Sequence, residues 1–316
     1  MVVTEQSLCV SDLIRHESIT TLFQPLVSIK KKSIIGIEAL SRGIDPYDGR
    51  MIPPNVLFDQ ATREDILLDL DRLCRDKACE NFAALCQHIT EKPILFLNID
   101  TSIIDTGVVG SQYLLNQIKQ SGLDPSTIAI EIIESKVHDH QALQRFVETY
   151  RDYGFIIALD DVGAGHSNLD RISLVKPDVI KIDRSLITDI NREYYKQIVV
   201  KSLVSLAQNI GALVVAEGIE NENEAVTTLE LGADLLQGFY FSRPQEANWE
   251  RLNNAAENIA HVATDYRSSM ISHVRELKAR YQAYDDMIAD LVCELSCAAP
   301  RDYDVTLQVL ADRYHI

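Results

Sequence analysis

The sequence predicts an α/β fold: a TIM-like (β/α)8 barrel with an antiparallel first strand, followed by a long C-terminal helix. Three observations carry this. Eight short apolar runs alternate with helical patterns between about residues 20 and 245. The runs are continuously apolar, as strands are when both faces of a parallel sheet are covered. Almost every run ends on a polar or acidic residue, as strand ends converging on one active face do.

The first two strands are placed at 22–29 and 34–40, separated only by Lys30-Lys31-Lys32-Ser33. That connection is too short for a parallel crossover, so the pair is expected to be antiparallel. Helical patterns at 54–61 and 66–89 precede a strand at 94–99. Helix–strand pairs then follow at 109–121 and 127–133, 139–153 and 155–160, 167–174 and 178–182, 191–210 and 212–216, and 221–231 and 236–241.

After Pro244 the texture changes, with no Gly or Pro until Pro300. Leu252, Ala256, Ile259, Ala263, Tyr266, Met270, His273, Leu277, Tyr281, Tyr284, Ile288, Leu291 and Leu295 read as one heptad seam. A seam this long predicts a coiled coil or a helix packed on a partner, the alternative being a helix folded back on the barrel. The expected division is a lead-in over 1–19, a barrel over 20–247, a heptad-patterned helix over 248–299 and a short tail over 300–316. The tail reads as the start of a truncated, regulatory domain.

Composition narrows the function. A hydrophobic fraction of 46% in 316 residues argues against disorder. Polar residues interrupt the longest apolar runs before membrane-spanning length. The stretch Met1–Ile19 contains Glu5, Asp12, Arg15 and Glu17 and lacks the form of a secretory signal, so a soluble cytoplasmic protein is expected. A net charge of −17 argues against binding duplex nucleic acid through a broad basic surface. It does not exclude a phosphate ligand, because bound cations invert a local field. The six cysteines form no CxxC pair and are read as reduced, mostly buried thiols.

The strand ends carry the chemistry. Ile34-Ile35-Gly36-Ile37 runs into Glu38, Ile94-Leu95-Phe96-Leu97 into Asn98, and Ile128-Ala129-Ile130 into Glu131. Ile156-Ile157-Ala158-Leu159 runs into Asp160-Asp161, Val179-Ile180 into Lys181, and Leu213-Val214-Val215-Ala216 into Glu217. Singly, Glu38 reads equally well as a solvated strand end, Asn98 as a turn cap, and Glu131 or Glu134 as surface acids. Jointly, five carboxylates at converging ends repel one another, and cations would relieve that repulsion. Oxygen ligands beside one lysine point to hard divalent cations and a phosphate-type substrate. Adjacent Asp160 and Asp161 suit a two-metal arrangement with a shared ligand. The loop Val162-Gly163-Ala164-Gly165-His166-Ser167 reads as a movable segment beside them, with His166 near the rim.

These motifs resemble the EAL family of cyclic-di-GMP phosphodiesterases. The naming motif stands as Glu38-Ala39-Leu40, inside Ile37-Glu38-Ala39-Leu40-Ser41-Arg42. Phe23-Gln24-Pro25-Leu26-Val27, Leu97-Asn98, Glu131-Ile132-Ile133-Glu134, Leu159-Asp160-Asp161, Ile180-Lys181-Ile182-Asp183, Ala216-Glu217-Gly218-Ile219-Glu220 and Leu236-Gln237-Gly238-Phe239 occur in family order. The resemblance implies that Glu38, Asn98, Glu131 and Asp160 hold one Mg2+ or Mn2+ and that Asp160, Asp161 and Glu217 hold a second. It implies that Lys181 positions the attacking water, Gln237 supports the metal and water network, Arg42 contacts a phosphate and Gln24 helps seat a guanine. Glu134 matches the acid that anchors the glycine loop. The implied reaction is hydrolysis of cyclic-di-GMP to linear 5′-pGpG, in a homodimer. The sequence departs from the family at Val162, Ala164 and His166, which replace phenylalanine, threonine and tyrosine. That departure keeps open a second expectation, a cyclic-di-GMP receptor with slow or no turnover that signals through the C-terminal helix. A third, an unrelated metal-dependent barrel enzyme such as a sugar-phosphate lyase, fits the fold without the motifs.

Overall fold

Strands β1 (Ile19–Ser28) and β2 (Ser33–Ile44) form the antiparallel hairpin the short connection requires, with Lys32 in the left-handed region at φ 55°. The structure, a computed structural model, describes residues 9–99, 112–133, 139–164 and 169–297. From β2 the sheet continues in parallel through β4 (Ile94–Ile99), β5 (Ile128–Ile133), β6 (Ile156–Val162), β7 (Val179–Ile182), β8 (Leu213–Ala216) and β9 (Leu235–Leu236). Val27 then pairs antiparallel with Leu236 and closes an eight-strand ring. The two-residue β3 (Met51–Ile52) extends β2 outside it.

Helices α2 (Pro54–Arg63), α3 (Leu67–Leu85), α4 (Tyr113–Gln120), α5 (His140–Asp152), α6 (Leu169–Val175), α8 (Tyr194–Ile210) and α9 (Glu222–Leu231) alternate with the strands. Helix α5 shows why such segments are helical. Asp139 accepts hydrogen bonds from the N–H groups of Gln141 and Ala142 at its start. Ala142, Leu143, Phe146, Val147 and Tyr150 recur at three- and four-residue steps and are buried. Helix α3 buries Phe82 against Phe23 of β1, with ring centroids 6.5 Å apart.

The inside of the ring explains the site. Side chains alternate faces along a strand, so positions two apart share a face. Leu26, Phe96, Ala129, Ala158, Val179, Val215 and Leu235 make one buried cluster. Two positions on toward the active face stand Gln24 (β1 runs the other way), Asn98, Glu131, Asp160, Lys181, Glu217 and Gln237. Glu38 bears the same relation to Gly36, where an added Cβ would overlap the Phe96 ring. Each strand of the ring thus gives one member to an apolar layer and one to a polar layer above it.

Several boundaries differ from the sequence reading. The segment expected to be a strand over 236–241 leaves the sheet after Leu236, because Gly238 packs against the Ile219 backbone with no room for a Cβ. Tyr240 N–H then donates to Ile219 O at 3.0 Å, and turns follow. The lead-in contains α1 (Val10–Arg15), with Val10 and Leu13 buried. The expected helix over 191–210 begins at Tyr194, after a short α7 (Arg184–Ile187).

In the barrel unit, α10 (Trp249–Leu252) is followed by α11 (Ala255–Cys297). Leu252, Ala255, Ile259 and Val262 are buried, so the proximal stripe uses Ala255 and Val262 where the heptad reading placed Ala256 and Ala263. In the unit beginning at Thr264, the exposed apolar residues are Met270, Ile271, Val274, Leu277, Tyr281, Tyr284 and Ile288. Met270, Val274, Leu277, Tyr281, Tyr284 and Ile288 stand at alternating steps of four and three. Among the described residues no helix is long and apolar enough to cross a membrane. Cys74, Cys79 and Cys86 are buried thiols, and burial pushes Cys74 and Cys79 up to about 12, while Cys9 is exposed.

Candidate active site

Lys181, 1% exposed on β7, stands at the centre of the polar layer. Its Nζ lies 2.5 Å from Glu131 Oε1, 2.6 Å from Glu217 Oε1, 3.2 Å from Asp160 Oδ1 and 3.4 Å from Glu38 Oε2. Both oxygens of Glu38 are also held. Asn98 Nδ2 donates to Oε1 at 3.0 Å, and Gln237 Nε2 donates to Oε2 at 2.7 Å. Gln24 Oε1 lies 3.3 Å from the same Gln237 nitrogen, and Gln24 Nε2 donates to Ser242 O at 3.0 Å.

Asp161 joins Asp160 through a backbone irregularity. Adjacent strand residues ordinarily face opposite sides, but the pairing of β6 with β7 shifts register between Leu159 and Val162, and Asp161 has φ 57°. One carboxylate oxygen from each of Asp160, Asp161 and Glu217 consequently falls within a 4.8 Å group. Val162 is buried and its carbonyl accepts the Asp183 N–H at 3.0 Å. Ala164 N–H closes a turn onto Asp161 O. Glu134 and His166 lie outside the described residues.

The electrostatics show an excess of negative charge. Burial, with the neighbouring acids, raises Glu131 well above the carboxylate range and raises Asp160. Burial and Asp160 push Asp161 up to about 6; burial, opposed by Lys181, leaves Glu217 at about 8. Burial also acts upward on Glu38, but Lys181, Gln237 and Asn98 outweigh it and hold that carboxyl below its ordinary value. Burial pulls Lys181 down, and the acids around it overcome this and hold it well above the usual lysine value. One ammonium cannot neutralise five carboxylates. Apart from Lys181, both oxygens of Glu131 and Oδ1 of Asp160 have no hydrogen-bond partner among the described residues. Oxygen donors with unused lone pairs and surplus charge fit hard divalent cations.

Two cavities meet at this cluster, both lined by Glu38, Asp160 and Asp161. One, of about 410 Å3, extends past Arg42, Phe58, Asp71 and Arg75. The other, of about 290 Å3, extends past Gln24, Lys181, Arg184, Glu217, Gln237 and Phe239. The sequence reading missed the first cavity's wall. Asp71 and Arg75 form a buried i,i+4 ion pair on α3, and charges on the apolar stripe Leu70-Cys74-Ala78 were the available signal. It also missed Phe239, on which the Arg243 guanidinium stacks at 4.3 Å. All ten described candidates from the sequence line one or both cavities or touch Glu38 or Lys181.

The EAL domain profile matches residues 9–244. The chain belongs to the EAL-domain family. The cyclic di-GMP phosphodiesterase RocR of Pseudomonas aeruginosa is 30% identical over 248 residues, covering 74% of this chain and 60% of RocR. A manganese and cyclic-di-GMP complex of Klebsiella pneumoniae BlrP1 is 29% identical, with a TM-score of 0.66 over 73% of this chain and 57% of that one. The Bacillus subtilis YkuI protein, an EAL-domain protein in complex with cyclic-di-GMP and calcium, superposes over 98% of this chain and 76% of its own at a TM-score of 0.82. At 23% identity, YkuI bears on the fold alone. The EAL chain spans only 30–37% of the length of several other curated relatives.

Proposed function

We propose that this EAL-domain protein hydrolyses one phosphodiester of cyclic-di-GMP to give linear 5′-pGpG, using two Mg2+ or Mn2+ ions. The carrying observation is the ring of four carboxylates on Lys181, with Asp161 beside it, at the junction of two cavities. The names of RocR and the BlrP1 complex support the substrate, and the BlrP1 complex supports the metal class.

In this reading Glu38, Asn98, Glu131 and Asp160 hold one ion, and Asp160, Asp161 and Glu217 hold the other. When bound, the two cations neutralise charge on the phosphoryl oxygens and lower the pKa of water. The residues of the chain do the positioning. Asn98 and Gln237 fix the Glu38 carboxylate from both sides, so its oxygens need little reorganisation. Lys181 presents an ammonium donor at the floor, where it orients the nucleophile. Arg42 reaches a substrate phosphate from the wall of the larger cavity, and Gln24 helps seat the guanine or backbone beside it.

The test is product formation by the full chain with Mg2+ or Mn2+. Conversion of cyclic-di-GMP to 5′-pGpG, abolished by Glu38→Ala, is the expected result. Tight binding without product under either metal would instead make the protein a receptor, the reading that Val162 beside the acidic pair keeps in play. We further propose homodimerisation through the exposed stripe Met270–Ile288.

A further inference from the structure

We infer that Glu224, which is not among the ligands assigned above, is a positioning residue that sets where Glu217 stands relative to Lys181. The inference rests on the cation-binding reading of the site.

Glu224 lies in the first turn of α9 and is 2% exposed. Its Oε2 accepts the Glu220 N–H at 2.8 Å, and its Oε1 accepts the Asp189 N–H at 2.8 Å. These N–H groups belong to two different loops. Glu220 is three residues beyond Glu217, in the loop leaving β8. Asp189 follows α7, in the loop leaving β7, the strand that carries Lys181. One buried carboxylate therefore cross-links the chain segments that emerge from the Lys181 strand and the Glu217 strand.

This exceeds ordinary helix capping. A glutamate at the third helical position usually returns to the N-cap N–H. Here the N-cap is Asn221, whose side chain accepts the Glu224 N–H at 3.1 Å. Glu224 itself reaches one residue further back and across to a second loop. The residue it meets there, Asp189, has φ 58°, a conformation that needs local support.

The Glu217 N–H donates to Ile182 O at 3.1 Å, which ties its backbone to β7, and the loop beyond it is held at two further points. Gly218, at φ 71°, packs on Arg184, where a Cβ would overlap the Arg184 Cβ. Ile219 N–H donates to Gln237 O at 3.0 Å. The Gly218–Arg184 contact sets the spacing of the two loops at the near end, and Glu224 sets it at the far end. Glu217 needs this help most: its side chain is 18% exposed, the most open of the four carboxylates on Lys181. Its neighbours Glu131 and Asp160 are strand residues paired on through the ladder, whereas Glu217 is the first residue past β8 and ends the pairing with β7 through its N–H on Ile182 O.

The experiment compares the full wild-type chain with Glu224→Ala and Glu224→Gln, reading Mn2+ affinity by calorimetry, the Mn2+-induced shift in Tm, and KM and kcat for cyclic-di-GMP. Removing a group bonded directly to a metal ligand costs about 10–100-fold in affinity or activity. Glu224 acts one step further out, through the Glu220 and Asp189 backbone, so Glu224→Ala is expected to weaken Mn2+ binding by up to about 10-fold and lower kcat, with KM for the dinucleotide unchanged. Glu224→Gln keeps the volume and one acceptor but turns an amide donor toward an N–H, so its loss should be smaller and in the same direction. It also carries the test if the alanine variant does not fold. A lowered Tm in either variant with wild-type Mn2+ affinity would make Glu224 a stability residue only and overturn the inference, leaving the parent reading intact. A wild-type chain that binds no Mn2+ would overturn both.

Discussion

Lys181 Nζ and Glu217 Oε1 lie 2.6 Å apart, although β8 has already ended when Glu217 is reached. The Glu217 N–H still donates to Ile182 O at 3.1 Å, so backbone pairing with β7 runs one residue past the strand and brings this carboxylate to the ammonium. Removing that cation tests the ring directly. Lys181→Met should abolish turnover and destabilise the metal-free protein by about 3–5 kcal/mol, the usual cost of leaving a buried charge unpaired. Denaturant melts with and without Mn2+ would measure it. A variant as stable as wild type without metal would contradict the account of the charge.

Glu38→Gln makes the opposite change. The amide keeps the shape but replaces one acceptor by a donor facing Gln237 or Asn98, and it removes the charge of the one carboxyl in the ring held below its ordinary value. Turnover should fall at least about 100-fold, while the metal-free Tm changes little or rises. Substantial retained activity would show that the Glu38 carboxylate is not a required ligand.

The metal-free protein should lose stability as pH rises from about 6 to about 8.5. Glu217 stands at about 8 and Asp161 at about 6 when folded, above their ordinary values of 4.5 and 3.8. The folded state therefore binds more protons than the unfolded chain across this range, and stability falls with pH. Saturating Mg2+ should flatten the slope. Tm against pH in chelator and in Mg2+ tests it, and a chelated protein that gains stability over the same range would refute it.

Gly238→Ala should disturb the seam. The new Cβ has no space beside the Ile219 backbone, and overpacking of this kind costs about 1–3 kcal/mol. Because Gln237 is the adjacent residue, KM and kcat should both worsen. Wild-type kinetics and Tm would mean that the loop yields freely.

The exposed stripe from Met270 to Ile288 should hold two copies together. Solution mass by light scattering should give a dimer for the full chain and a smaller species for a chain ending at residue 263. Equal masses for the two would remove this helix as the contact.

Much of the barrel was legible because strand burial on both faces leaves continuous apolar runs. Asn98 and Lys181 were legible as the polar ends of the runs Ile94–Leu97 and Val179–Ile180, and the structure adds the two-residue step from Phe96 and Val179. The short ninth strand was not legible, since Phe239-Tyr240-Phe241 looks like a strand and only the packing of Gly238 on Ile219 ends it. Asp161 was legible as a ligand through its pairing with Asp160, but the bulge that turns it inward left no mark in the periodicity. Asp71, Arg75 and Glu224 were passed over because a charge within a helix reads as surface until its neighbours in space are known.

The seam that closes the ring has a consequence for assembly. Val27 meets Leu236, and Gln24 meets Gln237, across nearly the whole length of the barrel's chain. Contacts this distant form late, because they require the entropy of the longest loop to be overcome first. A nascent chain halted before residue 237 would carry Glu38 without its partner. Pulse-labelled exchange during refolding should then find the Gln237 amide among the last to be protected, so that maturation of the site coincides with completion of the barrel.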